Sequence, residues 1–256
     1  MIYREKTKVI SQVMLAPGIY DMWIESDNIS ASAVSGQFIM IYPKNSSTLL
    51  PRPISICEVK PGAVRLVYRV VGKGTSEFSG LLAGDDIVVM GPLGNGYRDL
   101  QAEKPVLFGG GIGIPPMLNL AKTFAKSGVR PVVILGYRDN NLFLKDDFDK
   151  VSDVYVATED GSVGTRGNVI DAYNANGIEA DIVYACGPMP MLRGIKNKAS
   201  EREITAYISL EEKMACGVGA CLACVAKTVN VDHHSHVNNT RVCTEGPVFE
   251  AKEVEI

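Results

Sequence analysis

The sequence has no apolar run long enough to cross a bilayer. Stretches such as residues 39–41 and 132–135 fall far short of the roughly 20 residues a membrane helix needs. It also lacks any block of like charge. Its 26 Lys and Arg and 29 Asp and Glu are spread along the chain for a net charge of −3, which leaves no electrostatic footprint for a nucleic-acid partner. Residues 1–10 contain no apolar segment ahead of a small-residue cleavage site, so no signal peptide is expected and the expected compartment is the cytoplasm. Cysteine is scarce and uneven. Of six, Cys57 and Cys186 stand alone, while Cys216, Cys221, Cys224 and Cys243 crowd into the last 41 residues. A reducing compartment argues against structural disulfides, so four clustered thiols point to a metal or iron–sulfur site. With 46% hydrophobic and 21% charged residues, the composition is that of a globular protein. A length of 256 residues suffices for about two domains.

Residues 6–13, 18–25, 38–42, 54–59, 64–71 and 85–90 are rich in β-branched and aromatic side chains and are bounded by turn residues. Short strands at this regular spacing predict an all-β barrel or sandwich. The pattern changes near residue 104. Strands at 105–108, 131–135, 154–157, 182–185 and 205–209 alternate with helices at 115–126, 141–150, 168–175 and 188–199. Such alternation means βαβ units and a parallel sheet. After Leu210 no helical period is visible. The expected fold is therefore multi-domain, β plus α/β: a β-domain over 1–100, a parallel-sheet nucleotide-binding domain over 101–208 and a small metal-binding tail over 209–256.

The tail reads Cys216-x4-Cys221-x2-Cys224, with Cys243 following at a distance. This is the spacing of plant-type [2Fe–2S] centres. Two bridged irons need four thiolates from a tightly wrapped loop, and Gly217 and Gly219 let the backbone turn without Cβ clashes. A structural zinc site fits less well, because zinc favours short-spaced pairs in both halves. A redox dithiol at Cys221 and Cys224 leaves Cys216 and Cys243 without a role. His233, His234 and His236 read as a solvated hairpin tip, and Cys57 as a core thiol.

Gly109, Gly110, Gly111, Ile112 and Gly113 follow a strand and open a helix, where backbone amides and the helix terminus suit a pyrophosphate. The alternative is a plain tight βα turn. Arg52 is a candidate for a bidentate diphosphate contact and Ser55 for a hydrogen bond to a ring edge. The run from Tyr68 and Arg69 through Gly72 and Gly74 to Thr75, a candidate helix N-cap, offers a second anion site. Taken singly, Arg52 and Arg69 also read as surface charge. Glu159 and Asp160 suit an adenosine ribose or, equally, a solvated Asp-Gly turn.

Arg52-Pro53-Ile54-Ser55, Tyr68-Arg69 with Gly72 to Thr75, Gly91 to Tyr97, the Gly109 to Gly113 turn and Cys186-Gly187-Pro188, in this order, resemble the ferredoxin–NADP reductase superfamily. With the segment from Ser209 to Cys224, the chain resembles within it the electron-transfer subunits of NAD-dependent dihydroorotate dehydrogenases. The resemblance covers nearly the whole chain. It implies an N-terminal antiparallel β-barrel with FAD held by Arg52, Pro53, Ile54, Ser55, Val67, Tyr68, Arg69, Gly74 and Thr75, and a parallel-sheet domain with NAD(H) as substrate beside Cys186, Gly187 and Pro188. It implies a [2Fe–2S] cluster on Cys216, Cys221, Cys224 and Cys243, close to the flavin. No residue is expected as acid or base. The implied partner is an FMN-containing catalytic subunit, in a heterotetramer of two plus two, serving pyrimidine biosynthesis. This chain alone is not expected to oxidise dihydroorotate. The alternatives are a related NAD(P)H reductase subunit for ferredoxin, sulfide or hydrogenase chemistry, in which the first cluster ligand is often Asp rather than Cys, and a zinc-stabilised nucleotide-binding protein.

Overall fold

The computed structural model describes residues 1–45, 47–231 and 236–256. The first half folds as expected from its alternating strands. β1 (Tyr3–Ala16), β2 (Ile19–Glu25), β3 (Phe38–Tyr42), β4 (Arg52–Lys60), β5 (Ala63–Arg69) and β6 (Asp86–Leu93) close a barrel in the order β1-β2-β5-β4-β3-β6. All its pairings are antiparallel. Met22, Ile24, Ile39, Ile41, Ile56, Leu66 and Val89 point inward and are fully buried, so alternation sets which face meets the core. Two short helices interrupt the all-β expectation. α1 (Asp27–Ser32) is capped by Ser26, whose side chain accepts from the Ile29 amide. α2 (Lys73–Phe78) begins at Gly72, not at Thr75. Thr75 sits one turn inside and its hydroxyl accepts from the Gly72 and Val71 amides, because a hydroxyl at that position reaches back to the open N–H groups.

The second half is a seven-stranded sheet in the order β10-β9-β8-β7-β11-β12-β15. β7 (Pro105–Gly110), β8 (Val132–Tyr137), β9 (Asp153–Thr158), β10 (Thr165–Arg166), β11 (Ile182–Cys186) and β12 (Thr205–Ser209) are parallel. α3 (Ile114–Lys126) enters through Pro115 and Pro116, which tolerate a helix start, and buries Met117, Leu118, Leu120, Ala121 and Phe124. α5 (Val169–Ala175) is held by a reciprocal cap between Asn168 and Asp171, and α6 (Met189–Glu201) follows Pro188. The helix expected over 141–150 is only α4 (Lys145–Asp149). Asp139 binds the Asn141 amide in a side-chain turn, and Leu144 takes a left-handed φ of 67°, so the helical ladder cannot start earlier.

The tail contributes β13 (Val225–Lys227), β14 (Asn239–Arg241) and β15 (Val248–Glu250). β15 adds antiparallel to β12 and completes the large sheet. β13 and β14 form a small ribbon, and His236 is exposed in their connection. His233 and His234 lie outside the described residues. Among the described residues, no helix is long and apolar enough to cross a membrane.

Candidate functional site

Strand order reverses between β7 and β11, since β8 and β9 lie to one side and β12 to the other. Parallel α/β sheets bind ligands at such a switch point, beyond the C-terminal strand ends. Gly113 makes the crevice narrow. A Cβ on it would collide with the carbonyl of Cys186 and lie 2.6 Å from the Gly187 nitrogen. Glycine is therefore required for the β7–α3 turn to approach the β11–α6 turn. Gly109 and Gly110 still belong to β7, and Gly111, with φ 53°, starts a single 3-10 turn through Gly113.

Two cavities meet at this edge. The first, of about 360 Å³, is walled by Arg52, Pro53, Ile54 and Ser55 on β4, Val67, Tyr68 and Arg69 on β5, then Thr75 and Ile112. The second, of about 550 Å³, is walled by Gly110, Gly111 and Pro188 and runs across the ends of β8 and β9. Arg69 borders both. The expected residues Gly109, Gly113, Cys186 and Gly187 border neither. They bring the backbone turns together from behind, and Cys186 is buried. Burial pushes the Cys186 thiol up, and the charge of Glu211 adds to this. Gly74 also stands behind the wall: a Cβ there would lie 2.8 Å from Arg52 Nε.

The sequence pattern does not mark one wall of the first cavity. Ser209, the last residue of β12, and Leu210, Glu211, Glu212 and Met214 just beyond it form it. The available signal was position: the segment follows the C-terminal end of a parallel strand. The Glu211 side chain is exposed, but desolvation by the surrounding cavity wall raises its carboxyl above the ordinary value, with Arg69 opposing.

The cysteine loop begins two residues beyond Met214. Gly217 takes φ 73° and Gly219 φ 80°. A Cβ on Gly217 would lie 3.0 Å from Met40 Cγ of the barrel, so the loop is pressed against β3. Among the described residues, no three Cys, His, Asp or Glu side chains converge on one point as a mononuclear ion requires. The thiols instead neighbour one another in two pairs, Cys216 with Cys221 and Cys224 with Cys243. Two thiolates per iron is the donor set of a binuclear cluster. Burial pushes the Cys216 thiol up, but the amides of Val218, Cys221 and Ala220 outweigh it and bring it to about 6. The Val218 amide lies 3.4 Å from the sulfur. Burial and the neighbouring Cys224 push Cys243 up to about 12. Cys224 and Cys243 are buried and Cys221 is exposed, so one end of the site faces solvent.

These residues fit the implied groups. The first cavity has the size, apolar walls and few convergent polar groups of a flavin-ring site, and the glycine-lined second cavity suits a dinucleotide. A barrel, a parallel sheet and a two-pair cysteine loop around such cavities define a flavin-dependent, nicotinamide-linked reductase with an iron–sulfur extension. Comparison with known proteins narrows the class. Residues 211–255 match the model of the iron–sulfur cluster binding domain of dihydroorotate dehydrogenase B. The chain is 42% identical over 263 aligned positions to a dihydroorotate dehydrogenase B (NAD(+)) electron transfer subunit of Fusobacterium nucleatum, covering 98% of each. It is 40% identical to that of Bacillus caldolyticus, covering 99% of each. Among solved structures, that of an NADH-dependent reduced ferredoxin-NADP oxidoreductase superposes with a TM-score of 0.86 at 31% identity, covering 97% of this chain and 89% of the other. The chain belongs to the family of dihydroorotate dehydrogenase B (NAD(+)) electron transfer subunits.

Proposed function

We propose that this chain relays electrons between NAD(H), FAD and a [2Fe–2S] cluster, and exchanges them with the FMN of a dihydroorotate dehydrogenase catalytic subunit. The proposed assembly is two of each subunit. The proposed division is residues 1–100 for flavin, 101–208 for the nicotinamide nucleotide and 209–256 for the cluster. One observation carries the reading: the segment that walls the first cavity, Glu211 to Met214, runs directly into Cys216.

When bound, a flavin accepts hydride from a nicotinamide and releases electrons singly, which a [2Fe–2S] cluster accepts one at a time. The chain's own residues orient, insulate and tune. Arg52 and Arg69 offer planar donor forks to a diphosphate. Tyr68 is buried against Tyr20 and Phe78, and its hydroxyl donates to Gln12, so the wall it forms is rigid. Gly111 and Arg69 stand where the two cavities join, where a nicotinamide would approach a flavin. Cys216, Cys221, Cys224 and Cys243 hold the cluster, with the Val218 amide directed at the Cys216 sulfur. No side chain is needed as acid or base, and the chain alone does not oxidise dihydroorotate.

The test is an anaerobic visible spectrum with metal analysis. Flavin bands with cluster absorption, both bleached by NADH, are expected. Cys224→Ala should lose iron and keep flavin, while Cys57→Ala should keep both. Zinc in place of iron overturns the cluster assignment. A second reading, a reductase subunit serving ferredoxin chemistry, is favoured by the 31% identity to the ferredoxin-linked oxidoreductase. Failure to exchange electrons with an FMN-bearing dihydroorotate dehydrogenase, with rapid reduction of ferredoxin, would select it.

A further inference from the structure

Buried polar atoms nearly always find a partner, because leaving one unpaired forfeits the hydrogen bonds it made in water. Among the described residues two side-chain atoms do not, Asn119 Nδ2 on α3 and Thr244 Oγ1. Thr244 directly follows Cys243. Its hydroxyl is closed off from solvent, so neither the protein nor bulk water satisfies it.

Local structure fixes where this hydroxyl sits. The amides of Thr244, Glu245 and Gly246 all donate to the Arg241 carbonyl, at 3.2, 2.9 and 3.3 Å, which winds residues 241–246 into one tight turn. The Val242 amide donates to the Cys224 carbonyl at 2.8 Å and pins the turn to the far end of the cysteine loop. Arg241 pins it to the middle of that loop, where its Nη1 donates to the Gly219 carbonyl at 3.2 Å. Thr244 is thereby pressed onto Gly219, between Cys216 and Cys221. A Cβ on Gly219 would lie 3.0 Å from Thr244 Cγ2 and 3.3 Å from Thr244 Oγ1. At the Cys243 sulfur, burial and Cys224 push the thiol up and the Gly219 amide opposes them, so this same stretch of backbone faces a ligand sulfur. Glu245 does not take the hydroxyl. Burial opposes its ionisation, and Arg241 and, more weakly, Thr244 favour it, but the hydroxyl makes no hydrogen bond to it. Both carboxylate oxygens accept from Arg241 instead.

We propose that the Thr244 hydroxyl donates a hydrogen bond to a sulfur of the [2Fe–2S] cluster and raises its reduction potential. A donor that finds no oxygen acceptor is complete once a thiolate or sulfide lone pair faces it. Reduction adds negative charge to the irons and their sulfurs, so a hydrogen bond to sulfur favours the reduced form. The inference rests on reading the four cysteines as the cluster site and adds a donor that sets its potential.

The experiment is a redox titration of the full chain, loaded with flavin and cluster and followed by electron paramagnetic resonance. Thr244→Val keeps the branched shape and removes the hydroxyl. It should retain iron and flavin and make cluster reduction about three- to tenfold less favourable, a fall of about 30–60 mV for one electron. Thr244→Ser should restore the wild-type value. The flavin potential should stay put, since Thr244 borders neither cavity. In resonance Raman spectra, transfer to D2O should shift an Fe–S stretch more in wild type than in Thr244→Val. The shift falls among bridging modes if a sulfide accepts and among terminal modes if a cysteine sulfur does. An iron-loaded Thr244→Val with the wild-type potential overturns the proposal alone. Should Thr244→Val fail to assemble a cluster, Thr244→Ser decides. Iron loading at the wild-type potential supports the hydroxyl's role, while a second failure shows that the residue acts through packing and overturns it. Zinc, or no metal, in the wild-type chain overturns the cluster reading itself.

Discussion

Glu211 stands out at the scale of single residues: its side chain is exposed at the wall of a flavin-sized cavity, yet the protein crowded around the carboxyl desolvates it and raises it above its ordinary value, with Arg69 opposing. Its folded value is raised above the unfolded one. The folded state therefore holds the proton more tightly, and Glu211's contribution is fully present below the ordinary carboxylate range and is lost as pH rises through its folded value. Glu211→Gln removes that dependence. Urea unfolding of the cofactor-free chain from pH 4 to 8 should show the variant gaining on wild type as pH rises, by less than about 1 kcal/mol because solvent screens an exposed carboxyl. A gap that closes with rising pH would contradict the assignment. The cysteines behave differently from one another for equally local reasons. Cys57 is fully buried with its thiol pushed up by burial, and is inert. Cys216 is turned toward amides that favour a thiolate.

At the scale of elements, the β7–α3 turn depends on one hydrogen atom. Gly113→Ala puts a methyl group against the Cys186 backbone, which cannot swing away as a side chain does. The cost should exceed about 3 kcal/mol, at the upper end for a single substitution. Gly80→Ala, whose Cβ finds only ordinary contact at 3.6 Å from the Glu77 carbonyl, should shift stability by less than about 1 kcal/mol. Thermal unfolding of the two variants checks the contrast. The elements themselves were largely legible from local pattern. β3 and β12 fall on the residues expected, since continuous apolar runs bounded by turn residues leave little choice. α4 is shorter than its apolar spacing implies, because that spacing does not reveal the Asp139 side-chain turn or the left-handed Leu144.

At the scale of the whole molecule, a buried charge network joins the barrel to the sheet half. Arg65 on β5 bonds Asp21 on β2 at 2.7 Å, Glu58 on β4 at 3.3 Å and Asp147 on α4 at 2.8 Å. Lys122 on α3 reaches Glu58 at 2.7 Å. Removing Arg65 leaves two nearly buried carboxylates short of a partner, which costs about 3–5 kcal/mol. Arg65→Ala should thus lower the melting temperature and, by loosening the two halves, raise the KM for NADH more than it lowers kcat. Asp147→Asn should be milder and pH-dependent. Burial opposes ionisation of Asp147, but hydrogen bonds from Lys150 and Arg65 hold its carboxyl below the usual value. Its contribution is therefore present above the ordinary carboxylate range and is lost as pH falls through the folded value. Below that value the stability difference between wild type and Asp147→Asn should vanish.

The cluster-binding tail was legible in the linear chain because a binuclear centre takes three of its four thiolates from one short loop, so spacing carries the pattern. The barrel and the parallel sheet were legible because strand and helix periods are local. Much of the first cavity's wall lies in contiguous motifs and was named from them, and Glu159 was named for a ribose, whereas Arg138 and the run Leu210 to Met214 were given no place in a cavity. Glu211, Glu159 and Arg138 come from the ends of three different strands, and only the order β9-β8-β7-β11-β12 sets them around one crevice. The same holds for the partners of Arg65, which are 7, 44 and 82 residues away in sequence. Ligand identity followed from motifs that the chain carries contiguously. Which side chains face the ligands, and which charges pair across the two halves, was decided by tertiary packing, because long-range strand order and the close approach of glycine turns leave no periodic trace in sequence.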